Sequence, residues 1–392
     1  MKSIYFTKYT SYGNNFVIID ECHAKELTEA GKSQFAFQAT NVNFGIGADN
    51  FLVIQPFTNK VLDEINTHRA YWKGKNFQAS ADYIFRMFEP AGTEALCCAN
   101  GLMCIAQHLY HVHGLHAAKI LAEIPTHSPT VISIGTDPQN YQINWVNLGH
   151  PRKTPSDLVT EKAIRPFDEC VDIVDNMIIR LRKHDLAPFS KKKQLNLKGY
   201  LVFTGEPHLV IFPEQEKSKE NIIELMFASS FGQNETPGNR IENRLAFGTW
   251  LVNRIGTALN SQYRHFFPRG INVNFVNNPN HGLSLEYRTF ERGINKETMS
   301  CGTGALACAF VVSRLNNKIP ISMLPQRCRS CCPEAKIGIL KNDSGWILKG
   351  SPVKLFTGHF LKHSVESEAA IDTKMHVLND GQYNSTGANS IF

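Results

Sequence analysis

Two cysteines in this chain stand in the same local pattern, and the pattern suits proton transfer at carbon. The first segment reads TEALCCANGLMCIA from Thr93, the second KETMSCGTGALACA from Lys296. Glu94 lies four residues before Cys98 and Gly101 three after it, and Glu297 and Gly304 hold the same offsets from Cys301. In both segments a small-residue turn and an apolar run spaced for a helix follow the cysteine. A thiol at a helix start sits beside backbone N–H groups without an intrahelical partner and at the positive end of the helix dipole. Those groups are expected to bind a carboxylate and to lower the thiol pKa. Two such starts facing each other would hold one substrate carboxylate with a sulfur on either side of its α-carbon. One sulfur would take the α-proton and the other would return a proton to the opposite face, while the N–H groups stabilise the developing charge. A cysteine beside a helix is ordinarily a small buried hydrophobe, and that reading is kept for Cys97, Cys104 and Cys308, whose offsets do not recur.

The repeat implies a duplicated domain in which each copy supplies one cysteine. Strand patterning marks Ile4–Lys8, Phe16–Ile19, Phe51–Ile54, Val131–Ile134, Gln142–Val146, Leu201–Phe203, Leu209–Phe212, Asn272–Phe275, Ile337–Leu340 and Trp346–Lys349. Helices are expected over Asn100–Tyr110 and Gly304–Leu315. Pro56–Ser80, Thr154–Leu197 and Glu214–Asn243 are polar and weakly patterned, and read as additions to a compact core. The expected division is residues 1–145 around Cys98, 146–361 around Cys301, and a disordered tail over 362–392.

Composition sets the class. Among 392 residues, 42% are hydrophobic and 10% aromatic, enough for sizeable cores. The net charge of +6 is spread along the chain, and Lys191–Lys193 reads as a solvated loop, so no nucleic-acid partner is expected. No segment resembles a signal peptide or a membrane span. Ten cysteines then point to reduced thiols in a cytoplasmic protein.

Around the cysteines the chain resembles the diaminopimelate epimerase family. YGNNF at Tyr12–Phe16, GIGAD at Gly45–Asp49, CANG at Cys98–Gly101, INVNFV at Ile271–Val276, FERG at Phe290–Gly293 and CGTGA at Cys301–Ala305 follow the family's motifs in order. The proline-type racemases share the cysteine pair but lack the Glu-Arg-Gly segment. The resemblance implies an α+β fold of two pseudo-symmetric domains, each a β-sheet rolled around a central helix, with the site in the cleft between them. It implies cofactor-independent epimerisation, with no metal at the site and Cys98 and Cys301 as the catalytic thiols. The backbones of Ala99, Asn100, Gly302 and Thr303 would hold the reacting carboxylate, and Asn14 and Asn50 would line the site. Asn272, Glu291 and Arg292 would meet the substrate's far end. A small-molecule amino acid is the expected partner and a homodimer the assembly considered.

Two departures bear on the substrate. The family's Phe-Asn-Ala-Asp-Gly reads FEPAG here and its Gly-Asn-Pro-His reads GEPH, so Glu89 and Glu206 replace two asparagines that help hold a distal carboxylate. Unless these side chains turn away or pair with Arg292, they would repel a distal anion and suit a cationic or neutral side chain. The expected function is therefore an amino-acid epimerase or racemase acting on a substrate other than diaminopimelate. True diaminopimelate epimerase, in lysine biosynthesis, is the alternative, and a non-catalytic binding protein on the same fold is the alternative of another class. Cys328, Cys331 and Cys332 lack the second pair of a zinc site. His108, His111, His113 and His116 read as favourable charge at a helix C-terminus.

Overall fold

The computed structural model describes residues 3–68, 80–123, 129–180, 194–212, 226–227, 240–278 and 283–361, with only the backbone described over 240–247. The first half contains β1 (Ser3–Ser11), β2 (Asn14–Asp20), β3 (Asn50–Pro56), β4 (Tyr83–Phe88), the short β5 (Glu94–Ala95), β6 (Ala117–Ala122), β7 (Thr130–Asp137) and β8 (Asn140–Asn147). Its helices are α1 (Glu29–Ala39), α2 (Asn59–His68) and α3 (Ala99–His113). The second half contains β9 (Arg165–Pro166), β10 (Asp172–Arg180), β11 (Gln194–Phe203), β12 (Pro207–Ile211), β13 (Asn272–Asn277), β14 (Ser284–Glu291) and the short β15 (Lys296–Glu297). It continues through β16 (Ser322–Pro325), β17 (Ile337–Asn342), β18 (Gly345–Gly350) and β19 (Val353–Leu361), with helices α4 (Arg240–Gln262), α5 (Gly302–Asn316) and α6 (Gln326–Arg329).

The duplication is visible in the strand pairing. β1, β2, β3, β4, β6, β7 and β8 pair in that order as antiparallel, parallel, antiparallel, parallel, antiparallel, antiparallel. β11, β12, β13, β14, β16, β17 and β18 repeat the same series. β8 and β18 then pair antiparallel and join the halves into one sheet. The fold is α+β, two pseudo-symmetric units of this kind.

Each sheet is covered on both faces, which explains its near-continuous apolar strands. In β2, Phe16 and Ile18 face α3 while Val17 and Ile19 face α1; in β3, Leu52 and Ile54 face α3 while Phe51 and Val53 face α1. α3 and α5 run through the curl of their sheets, so their first turns are buried on all sides. Small residues make that fit. A Cβ on Gly304 would come within 2.4 Å of Asn274 Oδ1. On the outer face of the second sheet, Leu251, Val252, Ile255, Ala258 and Leu259 of α4 cover β13 and β14 at helical spacing.

Three expectations are corrected. Within Thr154–Leu197, of which residues 181–193 lie outside the described residues, β10 is not an addition, because it pairs along β11 as a strand of the second sheet. A bulge at Asn176 (φ 57°) resets its alternation, so a period-two pattern does not show in the sequence. Val353–Leu361 falls in the second stretch by sequence but pairs with β1 and extends the first sheet. Within Pro56–Ser80 the structure shows the helix α2, which buries Ile65. Most of Glu214–Asn243 and the whole of 362–392 lie outside the described residues. Among the described residues no helix is long and apolar enough to cross a membrane.

Candidate active site

Cys98 and Cys301 are the N-cap residues of α3 and α5, both in extended conformation. Their carbonyls accept the first helical bonds, from Leu102 N–H at 2.9 Å and Ala305 N–H at 2.8 Å. The two starts abut: a Cβ on Gly302 would lie 2.8 Å from Ala99 Cβ. Between them opens a cavity of about 420 Å³ lined by both cysteines and by first-turn residues of both helices. All the residues singled out in sequence reach it, namely Asn14, Asn50, Glu89, Ala99, Asn100, Glu206, Asn272, Glu291, Arg292, Gly302 and Thr303. Cys97, expected to be packing only, lines it too, whereas Cys104 and Cys308 are buried in the cores.

The repeated glutamate has a structural role that spacing did not reveal. Arg86 on β4 donates from Nε and Nη2 to the two oxygens of Glu94, both at 2.8 Å. Arg288 on β14 does the same to Glu297, at 2.6 and 2.9 Å. In each half the glutamate lies on a two-residue strand hydrogen-bonded to the arginine's strand, four residues before the cysteine. The bidentate pair fixes that strand, and the strand fixes where the helix can begin.

The surroundings of the two thiols differ. Cys98 Sγ faces the N–H groups of Gly101 and Asn100, yet burial pushes its pKa up to about 12. Burial, and then the Glu291 carboxylate beside it, also push the Cys301 thiol well above its ordinary value. The helix starts therefore do not lower the thiol pKa values, contrary to expectation, because desolvation outweighs a few N–H dipoles. Glu291 is itself raised to about 7 by burial, and it accepts hydrogen bonds from Thr298 and Cys301. Thr303 Oγ1 lies 3.4 Å from Cys301 Sγ and 3.0 Å from His208 Nε2, while Asn274 Nδ2 lies 2.9 Å from His208 Nδ1. Burial and the nearby Arg292 hold His208 neutral, with a pKa of about 3.

Asn100 Nδ2 donates to Asn14 Oδ1 at 2.7 Å and to Ser300 Oγ at 3.0 Å, tying the two halves across the cavity floor. Farther out, Glu206 Oε2 accepts from Arg292 Nη2 at 2.5 Å and Nε at 3.0 Å. Asn272 Oδ1 accepts from the Arg292 backbone at 2.9 Å. Glu89 is exposed and takes a 3.2 Å bond from Thr93. The two glutamates are thus not a pair of free charges: one is bound to Arg292, and a second arginine, Arg269, also lines the cavity. Nothing local in the sequence marks Arg269, since its loop reaches the site only through the packing of α4 and β13.

The family model described as diaminopimelate epimerase matches residues 252–323, which include Cys301 and its helix. Diaminopimelate epimerase of Methanothrix thermoacetophila is 28% identical over 318 residues, covering 80% of this chain and 83% of the relative. The Bacillus subtilis enzyme of the same name is 26% identical, covering 81% and 84%. That of Prochlorococcus marinus NATL1A is 25% identical over 357 residues, covering 90% and 97%. Over most of its length the chain is similar to diaminopimelate epimerases. It is an isomerase, an epimerase or racemase. A probable proline racemase from Agrobacterium radiobacter K84 shares the fold, with a TM-score of 0.51 at 9% identity over 93% of this chain and 94% of that one. Within the family's motifs, GIGAD leads into β3, CANG and CGTGA form the two helix starts, and FERG closes β14. Among the described residues, the sulfurs of Cys328, Cys331 and Cys332 do not all lie within 4.8 Å of one another.

Proposed function

We propose that this enzyme inverts the α-carbon of an amino acid by two-thiol proton transfer, without a cofactor, using Cys98 and Cys301 from opposite faces. The observation that carries the reading is that both cysteines cap helices whose starts abut on one cavity. The substrate carboxylate would lie on the first-turn N–H groups of Ala99, Asn100, Gly302 and Thr303, which stabilise the enediolate-like charge as the α-proton leaves. One cysteine acts as thiolate and the other as thiol, and their roles exchange with the direction of reaction. Glu291 beside Cys301, with a pKa of about 7, is the nearby group able to take up that thiol's proton. The substrate's ammonium group then offsets the charge enclosed with it.

The side-chain end of the substrate would meet Glu89, Glu206, Arg269, Asn272 and Arg292. Glu206 occupies Arg292, so a distal carboxylate finds no free guanidinium there. This favours a cationic or neutral side chain over a second carboxylate. The second reading, diaminopimelate itself, is favoured by the names of the relatives and by Arg269 at the cavity. The test is α-deuterium incorporation from heavy water over a panel of lysine, arginine, histidine, proline and diaminopimelate. Exchange with lysine, arginine or histidine above diaminopimelate supports the first reading, and dominant exchange with diaminopimelate establishes the second. Absence of exchange with every α-amino acid refutes both.

A further inference from the structure

At the end of α3 opposite Cys98, side chains from two chain segments converge on one carboxylate. Asp20 ends β2 and Cys22 follows two residues later, while His108 and His113 come from the last turns of α3. His113 Nε2 lies 2.6 Å from Asp20 Oδ2, and His108 Nε2 lies 3.1 Å from the same oxygen. A carboxylate oxygen of Asp20, the Cys22 sulfur and a ring nitrogen of His113 are all within 4.8 Å of one another. The exposed His23 stands alongside, its ring centroid 5.1 Å from that of His113.

We infer that Asp20, Cys22 and His113 form a three-donor binding site for a divalent transition-metal cation of the zinc type, with the fourth position of a tetrahedral ion open to water. One sulfur, one imidazole and one carboxylate form a donor set that suits a borderline ion such as zinc and not magnesium or calcium, which take oxygen. Zinc–ligand distances of about 2.0–2.3 Å place tetrahedral donors roughly 3–4 Å apart, and the three donor atoms here lie within 4.8 Å of one another.

The other central helix offers a comparison at its own C-terminal end. The equivalent helix end carries its own cluster of Asp168, Glu169 and Cys170. There Arg314 from α5 supplies the cation, donating from Nε to Asp168 and from Nη2 to Glu169, both at 2.7 Å. Counted from the cysteines, His111 stands at the position of Arg314, while Asp20 meets His108 and His113 and, among the described ion pairs, no lysine or arginine. On ligation Cys22 would release its thiol proton to solvent. The ion would then tie β2 to the far end of the helix that holds Cys98, serving as a staple and not as part of the reaction.

The test uses the full chain, reduced, stripped with a chelator and returned to zinc or cobalt(II). One equivalent of zinc should be retained through gel filtration, and cobalt should give a thiolate-to-metal charge-transfer band. Both should persist in the Cys98→Ala/Cys301→Ala double variant and disappear in Cys22→Ser and in His113→Gln, each checked for native circular dichroism. Zinc should also raise the thermal midpoint of the unaltered chain and leave that of Cys22→Ser unchanged. Absence of retained metal in the unaltered chain, its persistence in a folded Cys22→Ser, or its loss with the catalytic thiols would overturn the assignment.

Discussion

Glu206→Asn probes what the outer end of the cavity selects. Glu206 and Arg292 are 17% and 15% exposed and joined at 2.5 Å, so the guanidinium is already neutralised inside the protein. Two carboxylates about 5 Å apart at an effective dielectric near 20 repel by about 3 kcal/mol. The ion pair cancels most of that repulsion, so the principal loss to a distal carboxylate is the bond Arg292 would otherwise donate. A charge-assisted hydrogen bond contributes about 1.5–3 kcal/mol. Taking roughly 2 kcal/mol, freeing Arg292 should raise kcat/KM for diaminopimelate relative to lysine by about thirtyfold. The lysine constant itself should change by no more than a few-fold. The assay is α-deuterium wash-in followed by proton NMR, with both substrates measured on both forms. Glu89→Asn should do less, because Glu89 faces solvent and bonds Thr93. An unchanged ratio in Glu206→Asn, or a wide preference of the unaltered enzyme for diaminopimelate, would show that this ion pair does not set the specificity.

Cys98→Ala and Cys301→Ala should each abolish racemisation, because inversion needs a donor on the face opposite the acceptor; near-normal turnover of either, followed by polarimetry, would refute the two-thiol assignment. Activity should rise as pH increases through about 7, where Glu291 becomes the carboxylate able to accept the Cys301 proton, and Glu291→Gln should remove that limb of the profile. The same group gives a stability slope. Its folded pKa of about 7 lies above the ordinary 4.5, so its contribution is fully present below pH 4.5 and is lost as pH rises through 7. Urea unfolding at pH 5 and pH 8 should show this slope in the unaltered chain and less of it in Glu291→Gln. Glu297→Ala leaves the buried Arg288 without its carboxylate and should cost about 3–5 kcal/mol in urea unfolding. Glu94→Ala should cost less, since Arg86 keeps a 2.6 Å bond to Glu29.

What the sequence disclosed depended on whether the determinant was local. The helix starts at Cys98 and Cys301 were legible because small residues followed by an apolar run leave few alternatives. β2 and β3 were legible because burial on both faces writes a continuous apolar string. α1 was missed because it buries Lys32, whose Nζ bonds Glu29 at 2.8 Å and approaches Glu21 at 3.1 Å; a buried lysine reads as a solvated one in any hydrophobic pattern. The arginine partners of Glu94 and Glu297 were missed because each pair forms across two strands. The thiol pKa expectation was overturned because enclosure of the cleft, a property of the assembled halves, outweighs the helix starts that the sequence does reveal.

The duplication explains why the two ends of the cavity differ. Each half repeats the same unit: an arginine on a long strand, a glutamate on a short one, then a cysteine capping a buried helix. Inversion at one carbon needs equivalent groups on its two faces, so this unit has reason to be kept in both copies. The substrate's side chain projects to one side only and imposes no such symmetry. Correspondingly, Glu206, Arg269, Asn272, Glu291 and Arg292 all come from the second half, while Asn14, Asn50 and Glu89 come from the first. Of the ionisable groups proposed for the side-chain end, Glu206, Arg269 and Arg292 lie on loops around β12, β13 and β14, where replacement leaves the arginine–glutamate pairs behind the cysteines intact. On the proposed mechanism, substrate preference can therefore change through the second copy's loops while the helix starts at Cys98 and Cys301, held by Arg86–Glu94 and Arg288–Glu297, stay fixed.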